Sequence, residues 1–340
     1  MNLEETSENS ANVSIGDLDG DGDSDLVLAK GRDTALVDRV LLNDGHGGFV
    51  ATDLGPTADR TYSAVLADVD GDGDVDILVS NDSPDRKLVY LNDGKARFRV
   101  ASTWGAAEWS TRNAAVADLD GDKRPDIDAA NRPGPSHVCL NDGGGSFRSP
   151  CIAIPMGSAT SVVLADFDND GFIDIAAPYR DKGQSLIFVI DGHANFLRTI
   201  PFGPSDGTAR VAAAADFDGD GWQDLVVGDE AKTSMVVYLN NGKGALSPGF
   251  QVIDRKRVPY AIAAGDVNRD GRPDVVIGFL NARSAVFFND GTGRTFTEVR
   301  FGDGKGDAYG FALGDLNGDG YPDIALARTG APNVLYISNK

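Results

Sequence analysis

The chain has 340 residues, a formal net charge of −21, 42 glycines, 15 prolines and 8% aromatic residues. An acidic balance of this size excludes a phosphate-binding surface, and with it nucleic acid as a partner; no apolar run approaches the roughly 20 residues that span a bilayer. Length alone would predict two or three domains, but a repeat running through the whole chain replaces that expectation with one domain over residues 1–340.

In chain order, the first segment is Met1-Asn2-Leu3-Glu4-Glu5, which is acidic and has no apolar core of the kind a secretion signal carries. The first acidic loop follows, with Asp17, Asp19, Asp21, Asp23 and Asp25 at alternate positions. The second has Asp68, Asp70, Asp72, Asp74 and Asp76. The third has Asp118, Asp120, Asp122 and Asp126, with Lys123 where the others have glycine and Arg124 beside it. The fourth has Asp166, Asp168, Asp170 and Asp174, and the fifth Asp216, Asp218, Asp220 and Asp224. The sixth and seventh place asparagine at position three: Asp266, Asn268, Asp270, Asp274, then Asp315, Asn317, Asp319, Asp323. The loops recur every 48 to 51 residues.

Each copy has the same surroundings. In the second, the apolar run Ser63-Ala64-Val65-Leu66-Ala67 precedes the loop and Ile77-Leu78-Val79 follows it. Leu88-Val89-Tyr90-Leu91 then ends in the turn Asn92-Asp93-Gly94, and a last run starts near Phe98. Asn-Asp-Gly between apolar runs marks a hairpin, because Asn and Gly tolerate positive φ. Four short strands per copy and seven copies predict an all-β, seven-bladed β-propeller. The last copy stops near Asn339, short of its fourth strand, while residues 3–6 fall where a fourth strand belongs. The N-terminal strand is therefore expected to close the ring, which removes exposed sheet edges.

Carboxylates at alternate positions of a tight loop wrap hard oxygens around one ion, the arrangement Ca²⁺ wants. Six or seven Ca²⁺ ions are expected, acting as structural staples, with the third loop the weak one. The spacing matches the start of an EF-hand loop, but the flanks are β-like rather than helical. More than half of the 52 acidic residues sit in these loops and would repel one another without metal.

The motif Asp216-Phe217-Asp218-Gly219-Asp220-Gly221-Trp222-Gln223-Asp224, followed by Leu225-Val226-Val227, resembles the FG-GAP/VCBS repeats of integrin α-subunit propellers and of bacterial secreted and surface proteins. The resemblance covers essentially the whole chain. It implies the propeller fold and calcium loops joining the first and second strands of each blade. It does not imply one function, since lectins, adhesion modules and carbohydrate-active enzymes share the repeat. A secreted or cell-surface location and a monomer are expected, with the cytoplasm as the alternative location.

Counting six residues back from each loop reaches the start of the innermost strand. That column reads Ala11, Tyr62, Arg112, Thr160, Arg210, Tyr260 and Tyr309. Thirteen residues beyond each loop's first Asp lie Lys30, Asn81, Asn131, Tyr179, Asp229, Phe279 and Arg328. Trp104, Trp109, Arg132, His137 and Arg180 fall in loops expected on the same face. The expected ligand site is the axial mouth opposite the calcium loops, built from Tyr62, Arg112, Arg210, Tyr260 and Tyr309. Tyrosine rings suit sugars and arginines suit carboxylate or sulfate. The ligand is expected to be a glycan, with an anionic one favoured, or a protein. The alternative is a lyase or dehydratase acting on an acidic or oxidised sugar, with His137, Arg112, Arg210 and Tyr260 as candidate catalytic groups. Cys139 and Cys151 flank the turn Asn141-Asp142-Gly143, leaving a disulfide and free buried thiols both open.

Overall fold

The computed structural model describes residues 1–155 and 157–338, and among these there are strands and turns but no helix. Seven antiparallel sheets follow one another along the chain as blades of a closed ring. Blades one to six span residues 10–53, 61–104, 111–153, 163–207, 209–253 and 259–301, and blade seven begins at residue 307.

Burial falls from the middle of each blade outwards. The second strands, such as Asp25–Lys30, Asp126–Asn131 and Asp224–Asp229, are buried at every position. Both of their faces pack on neighbouring blades, which is why they read as continuous apolar runs rather than as alternation. Outer strands such as Phe49–Asp53 are mostly exposed and carry polar residues. Innermost strands crowd together at the axis and use small residues, as in Ala209–Ala215. A Cβ added at Gly310 would lie only 3.0 Å from the Cα of Asn12 on the next blade.

The core is divided among the seams between blades. Phe167, Ile187 and Ile200 of blade four pack with Leu225 and Tyr238 of blade five; Leu26, Leu28 and Leu41 of blade one pack with Ala325 and Leu335 of blade seven. At ~1.5–3 kcal/mol for each large apolar side chain removed from water, every seam contributes, and none can open without exposing core.

The N-terminal segment supplies the fourth position of blade seven. The Met1 amino group donates to Leu335 O (2.6 Å), Leu335 N–H to Met1 O (2.8 Å) and Leu3 N–H to Asn333 O (2.8 Å). Pairing thus runs through Met1, Asn2 and Leu3, slightly earlier than the segment 3–6 expected from spacing, because Glu4 is used otherwise. Glu4 accepts from the buried Lys30 ammonium of blade one (2.6 Å) and from Asn333 of blade seven (2.6 Å). Glu8, on the solvent side, also reaches Lys30 at 2.8 Å. Glu4→Gln should lower stability by about 2 kcal/mol, read as a shift in the urea midpoint, because it leaves a buried ammonium with one exposed partner. No shift would show that the closure rests on backbone bonds and Leu3 alone.

Two blades depart from the pattern. Blade three inserts a small hairpin, Asn141–Gly143 with Ser146–Phe147, and has an outer strand of only Ile152–Ala153. The Cys139–Cys151 disulfide ties that outer segment to the third strand, which settles the two alternatives for these cysteines. Blade four has an innermost strand of three residues, Val163–Ala165, where the other blades have seven or eight.

Candidate functional site

The acidic loops form one face of the ring. In each, the first Asp organises the turn: Asp17 Oδ1 accepts from Gly20 N–H (2.8 Å) and Oδ2 from Gly22 N–H (3.1 Å). The Asp at position nine opens the second strand and is buried. Asp25 accepts from Leu18 N–H and from Asn43 N–H, both at 2.8 Å. Burial pushes the carboxyls of Asp25, Asp76, Asp126, Asp174 and Asp274 up to about 6 and that of Asp224 up to about 7, against the pull of two backbone donors on each.

The same asparagine that caps the third strand joins neighbouring blades. Asn92 donates its amide to Leu18 O of the preceding blade's loop (2.8 Å) and to Val75 O (3.0 Å). Asn43, Asn141, Asn240 and Asn289 repeat this link across their own seams. In blade four Ile190 stands in the equivalent place, its N–H bonded to Asp174, and has no amide to offer.

Five loops bring three carboxylate oxygens within 4.8 Å of one another: Asp17, Asp19, Asp25; Asp68, Asp70, Asp76; Asp118, Asp120, Asp122; Asp166, Asp168, Asp174; and Asp216, Asp218, Asp224. The buried oxygens Asp168 Oδ1 and Asp218 Oδ1 have no donor. Oxygen-only donor sets with orphaned buried oxygens fit a hard divalent cation. The sixth and seventh loops keep the same turn with Asn268 and Asn317 at position three; Asp266 accepts from Gly271 N–H (2.8 Å) and Asp315 from Gly320 N–H (2.7 Å).

The third loop keeps the turn despite lacking the glycine. Lys123 adopts φ 69°, in the left-handed region, and its N–H donates to Asp118 at 2.9 Å as the glycines do. Beside it stands Arg124, whose guanidinium pairs with Asp122 and donates to Asn141 O at 3.0 Å. The sixth loop has the same device, which the spacing argument passed over: Arg272 pairs with Asp270 and donates to Asn289 O at 3.1 Å.

At the opposite end of the innermost strands lies a cavity of about 320 Å³. Tyr62, Arg112, Arg210, Tyr260 and Tyr309 all line it, together with Arg32, Arg132, Arg180 and the polar Asn12, Asn113, Thr160 and Ser161. Among the described residues no Asp, Glu, Lys or His lines it. Each guanidinium is held from outside the cavity by an acid. Arg112 pairs with Asp82 (3.1 Å), Arg132 with Asp181 (2.9 Å) and Arg32 with Asp33 (2.5 Å); Arg180 and Arg210 share Glu230, at 2.6 and 3.4 Å. Three of these pairs cross seams between blades.

The tyrosine faces are not free, contrary to the expectation of open aromatic platforms. The Arg210 guanidinium lies 3.2 Å from the Tyr260 centroid, Arg112 4.2 Å from that of Tyr62 and Arg32 4.6 Å from that of Tyr309. The rings serve as supports for the cations. Burial pushes the hydroxyls of Tyr62 and Tyr309 up, so they stay protonated, and Tyr309 also accepts from Arg32. Burial pulls the Arg210 guanidinium down.

Other residues singled out from the sequence lie elsewhere. Lys30, Asn81, Asn131, Asp229, Phe279 and Arg328 are buried; the position is one residue short of the axis, and strand alternation turns it between blades. The next residue along, at Arg132 and Arg180, reaches the cavity, as expected of these two from their loops on this face; Arg32, two positions along, was missed. His137 is not brought to the cavity. It sits on the third strand of blade three, stacked on Trp109 with centroids 3.9 Å apart and bonded to Asn131 at 3.1 Å. Burial holds its imidazole below the usual range. Trp104 is buried in the seam between blades two and three rather than displayed in a loop.

Comparison with known proteins agrees with the fold. The model of the FG-GAP-like repeat matches residues 17–79, 68–128, 129–177, 216–277 and 266–326. Cartilage acidic protein 1 of Mus musculus is 29% identical over 183 residues, 47% of this chain and 28% of that protein. The Xenopus tropicalis protein of the same name is 28% identical over 181 residues, with the same shares. The match thus spans under a third of these relatives' length. Among solved structures, BBS1N in complex with ARL6DN superposes with a TM-score of 0.67 at 12% identity, covering 100% of this chain and 96% of that one. An Agrocybe aegerita lectin recognising non-reducing terminal N-acetylglucosamine gives 0.64 at 20% identity, covering 96% and 87%. The BP39L lectin of Burkholderia pseudomallei gives 0.67 at 15% identity, covering 98% and 100%. At these identities the structural likeness speaks for the fold alone.

Proposed function

Because this chain belongs to the FG-GAP-like repeat family, we propose that its acidic loops hold Ca²⁺ and that the stapled ring is a binding module for a glycan or protein ligand, received in the axial cavity. In each loop the side chains at positions one, three, five and nine, with the carbonyl at position seven, would hold the ion. When bound, Ca²⁺ supplies charge compensation and fixes the loop. Position nine opens the second strand and position one ends the first, so the ion joins two strands of the blade. Loops three and six would bind most weakly, since Arg124 and Arg272 occupy a carboxylate that the ion needs.

The observation that carries the binding reading is the cavity lining: five arginines and three tyrosines in a chain of net charge −21. Cations concentrated in one concave place, each pre-set by an acid behind it and three of them by a tyrosine ring beneath, favour recognition of an acceptor-rich ligand. A lyase or dehydratase would need a base. His137 stacks on Trp109 instead, and the cavity tyrosines whose hydroxyls are shifted are held protonated. A secreted or cell-surface location accords with the disulfide and with the tissue in the name of the cartilage acidic protein relatives.

The test is a glycan array of acidic and neutral oligosaccharides, probed with the calcium-loaded protein and with the double variant Arg112→Ala/Arg210→Ala. The variant should lose about 30-fold or more in affinity for whatever the array captures, as expected when charged hydrogen bonds are removed. Its calcium-dependent melting should be nearly unchanged. Full-strength binding by the variant would move the ligand site away from the axis.

A further inference from the structure

The charges at the cavity do not balance evenly around the ring. Asp33, Asp82 and Asp181 each serve one arginine, Arg32, Arg112 and Arg132 respectively. Arg180 and Arg210, from neighbouring blades, have only Glu230 between them. Five guanidiniums therefore face four carboxylates, and the uncompensated positive charge lies at the Arg180–Arg210 pair. Arg210 is held in place by Tyr260 beneath it, so the charge cannot swing out to solvent at no cost.

Accepting the axial cavity as the binding site, we propose that its ligand is an acidic sugar bearing one carboxylate per ring, and that Arg180 and Arg210 receive that carboxylate. A single unpaired positive charge matches one anionic group rather than a densely sulfated chain. Guanidiniums present paired N–H donors to a planar two-oxygen acid. Glu230 holds part of their donor set, both side chains line the cavity, and the buried Arg210 Nε has no partner. The nearby Asn12, Asn113, Thr160 and Ser161 line the cavity with short polar groups suited to sugar hydroxyls. The volume of about 320 Å³ is at the small end of ligand pockets, the size of one or two sugar rings rather than of a folded protein surface.

The experiment is titration calorimetry of the full calcium-loaded chain with trigalacturonate, its fully methyl-esterified form, a galactose 6-sulfate oligomer and the free-carboxylate tripeptide triglycine. Trigalacturonate should bind at least about 30-fold tighter than the ester, which keeps the shape and removes the charge. It should also bind more tightly than the sulfate oligomer and the tripeptide. Arg180→Gln should weaken trigalacturonate by a similar factor without changing binding of the ester. Glu230→Gln should strengthen it several-fold, because it unmasks the two guanidiniums; a purely structural role for Glu230 predicts no gain. Equal affinity for acid and ester overturns the proposal while leaving axial binding intact. So does preference for the sulfate oligomer or the tripeptide. Binding that survives in Arg112→Ala/Arg210→Ala overturns the axial reading itself, so the two failures are distinguishable. The comparison of acid with ester needs no variant and stands even if a substitution perturbs folding.

Discussion

Excess EGTA should lower the melting temperature of the purified chain by roughly 20 °C. Binding confined to the native state stabilises it by RT ln(1 + [L]/Kd), about 2.7 kcal/mol for each site at a hundredfold excess over Kd. Several such sites act on one cooperative ring, and a chain of this size shifts by one or two degrees for each kcal/mol. Seven dications would offset two thirds of the net charge of −21, so removing them also restores repulsion within every loop. As calcium is lowered in steps, the loops bearing Arg124 and Arg272 should empty first. Melting unchanged in excess chelator would sink the proposal that the ions are structural.

Asp128→Val should raise stability by about 2–3 kcal/mol, an unusual direction for a substitution at a fully buried site. Asp128 lies in the second strand of blade three, directly across from Val138, and neither of its carboxylate oxygens has a donor. Val138 packs with Ile175 and Ala177 of blade four, so the carboxyl shares that apolar seam. Burial pushes it up to about 8. The equivalent residues of the other blades are Val27, Leu78, Ala176, Val226, Val276 and Ala325, so the seam geometry takes an aliphatic group there. An unpartnered buried carboxyl costs roughly 1–3 kcal/mol even when protonated. The measurement is the denaturant midpoint at neutral pH. A lower midpoint would mean that Asp128 has a partner, such as an ordered water, that valine cannot replace.

The architecture was legible because the repeat wrote it many times over: aspartates at alternate positions, an Asn-Asp-Gly turn, and a buried second strand read as Val, Ile and Leu. One noisy copy, such as the third with Lys123, could not hide the pattern of the rest. The cavity was legible in part, because a fixed offset from each loop puts Tyr62, Arg112, Arg210, Tyr260 and Tyr309 at equivalent strand ends. What the sequence could not show was orientation. Alternation moves the site by one residue, from buried Asn131 to Arg132, and spacing alone does not say which of the two faces the axis. Nor could it show that the tyrosines lie under arginines, since stacking depends on side chains from adjacent blades. Glu4 and Lys30 are 26 residues apart and carry no motif, so the latch at the ring closure had to be seen in three dimensions.

Side-chain amides such as that of Asn92 link five of the seams; Ser338 stands in that position in blade seven, and Ile190 in blade four leaves the seam between blades three and four without one. The same seam has the short strand Val163–Ala165 at the axis and the unpartnered Asp128 in its core. A closed ring has a fixed circumference, so its bore can widen only where one joint is compliant. This joint carries the Arg132–Asp181 pair at the mouth of the cavity and stands beside Arg180. Small excursions of blade four would then dilate the aperture and shift two of its five cations. The ring would behave less as a rigid socket than as a clamp that flexes beside its cationic mouth.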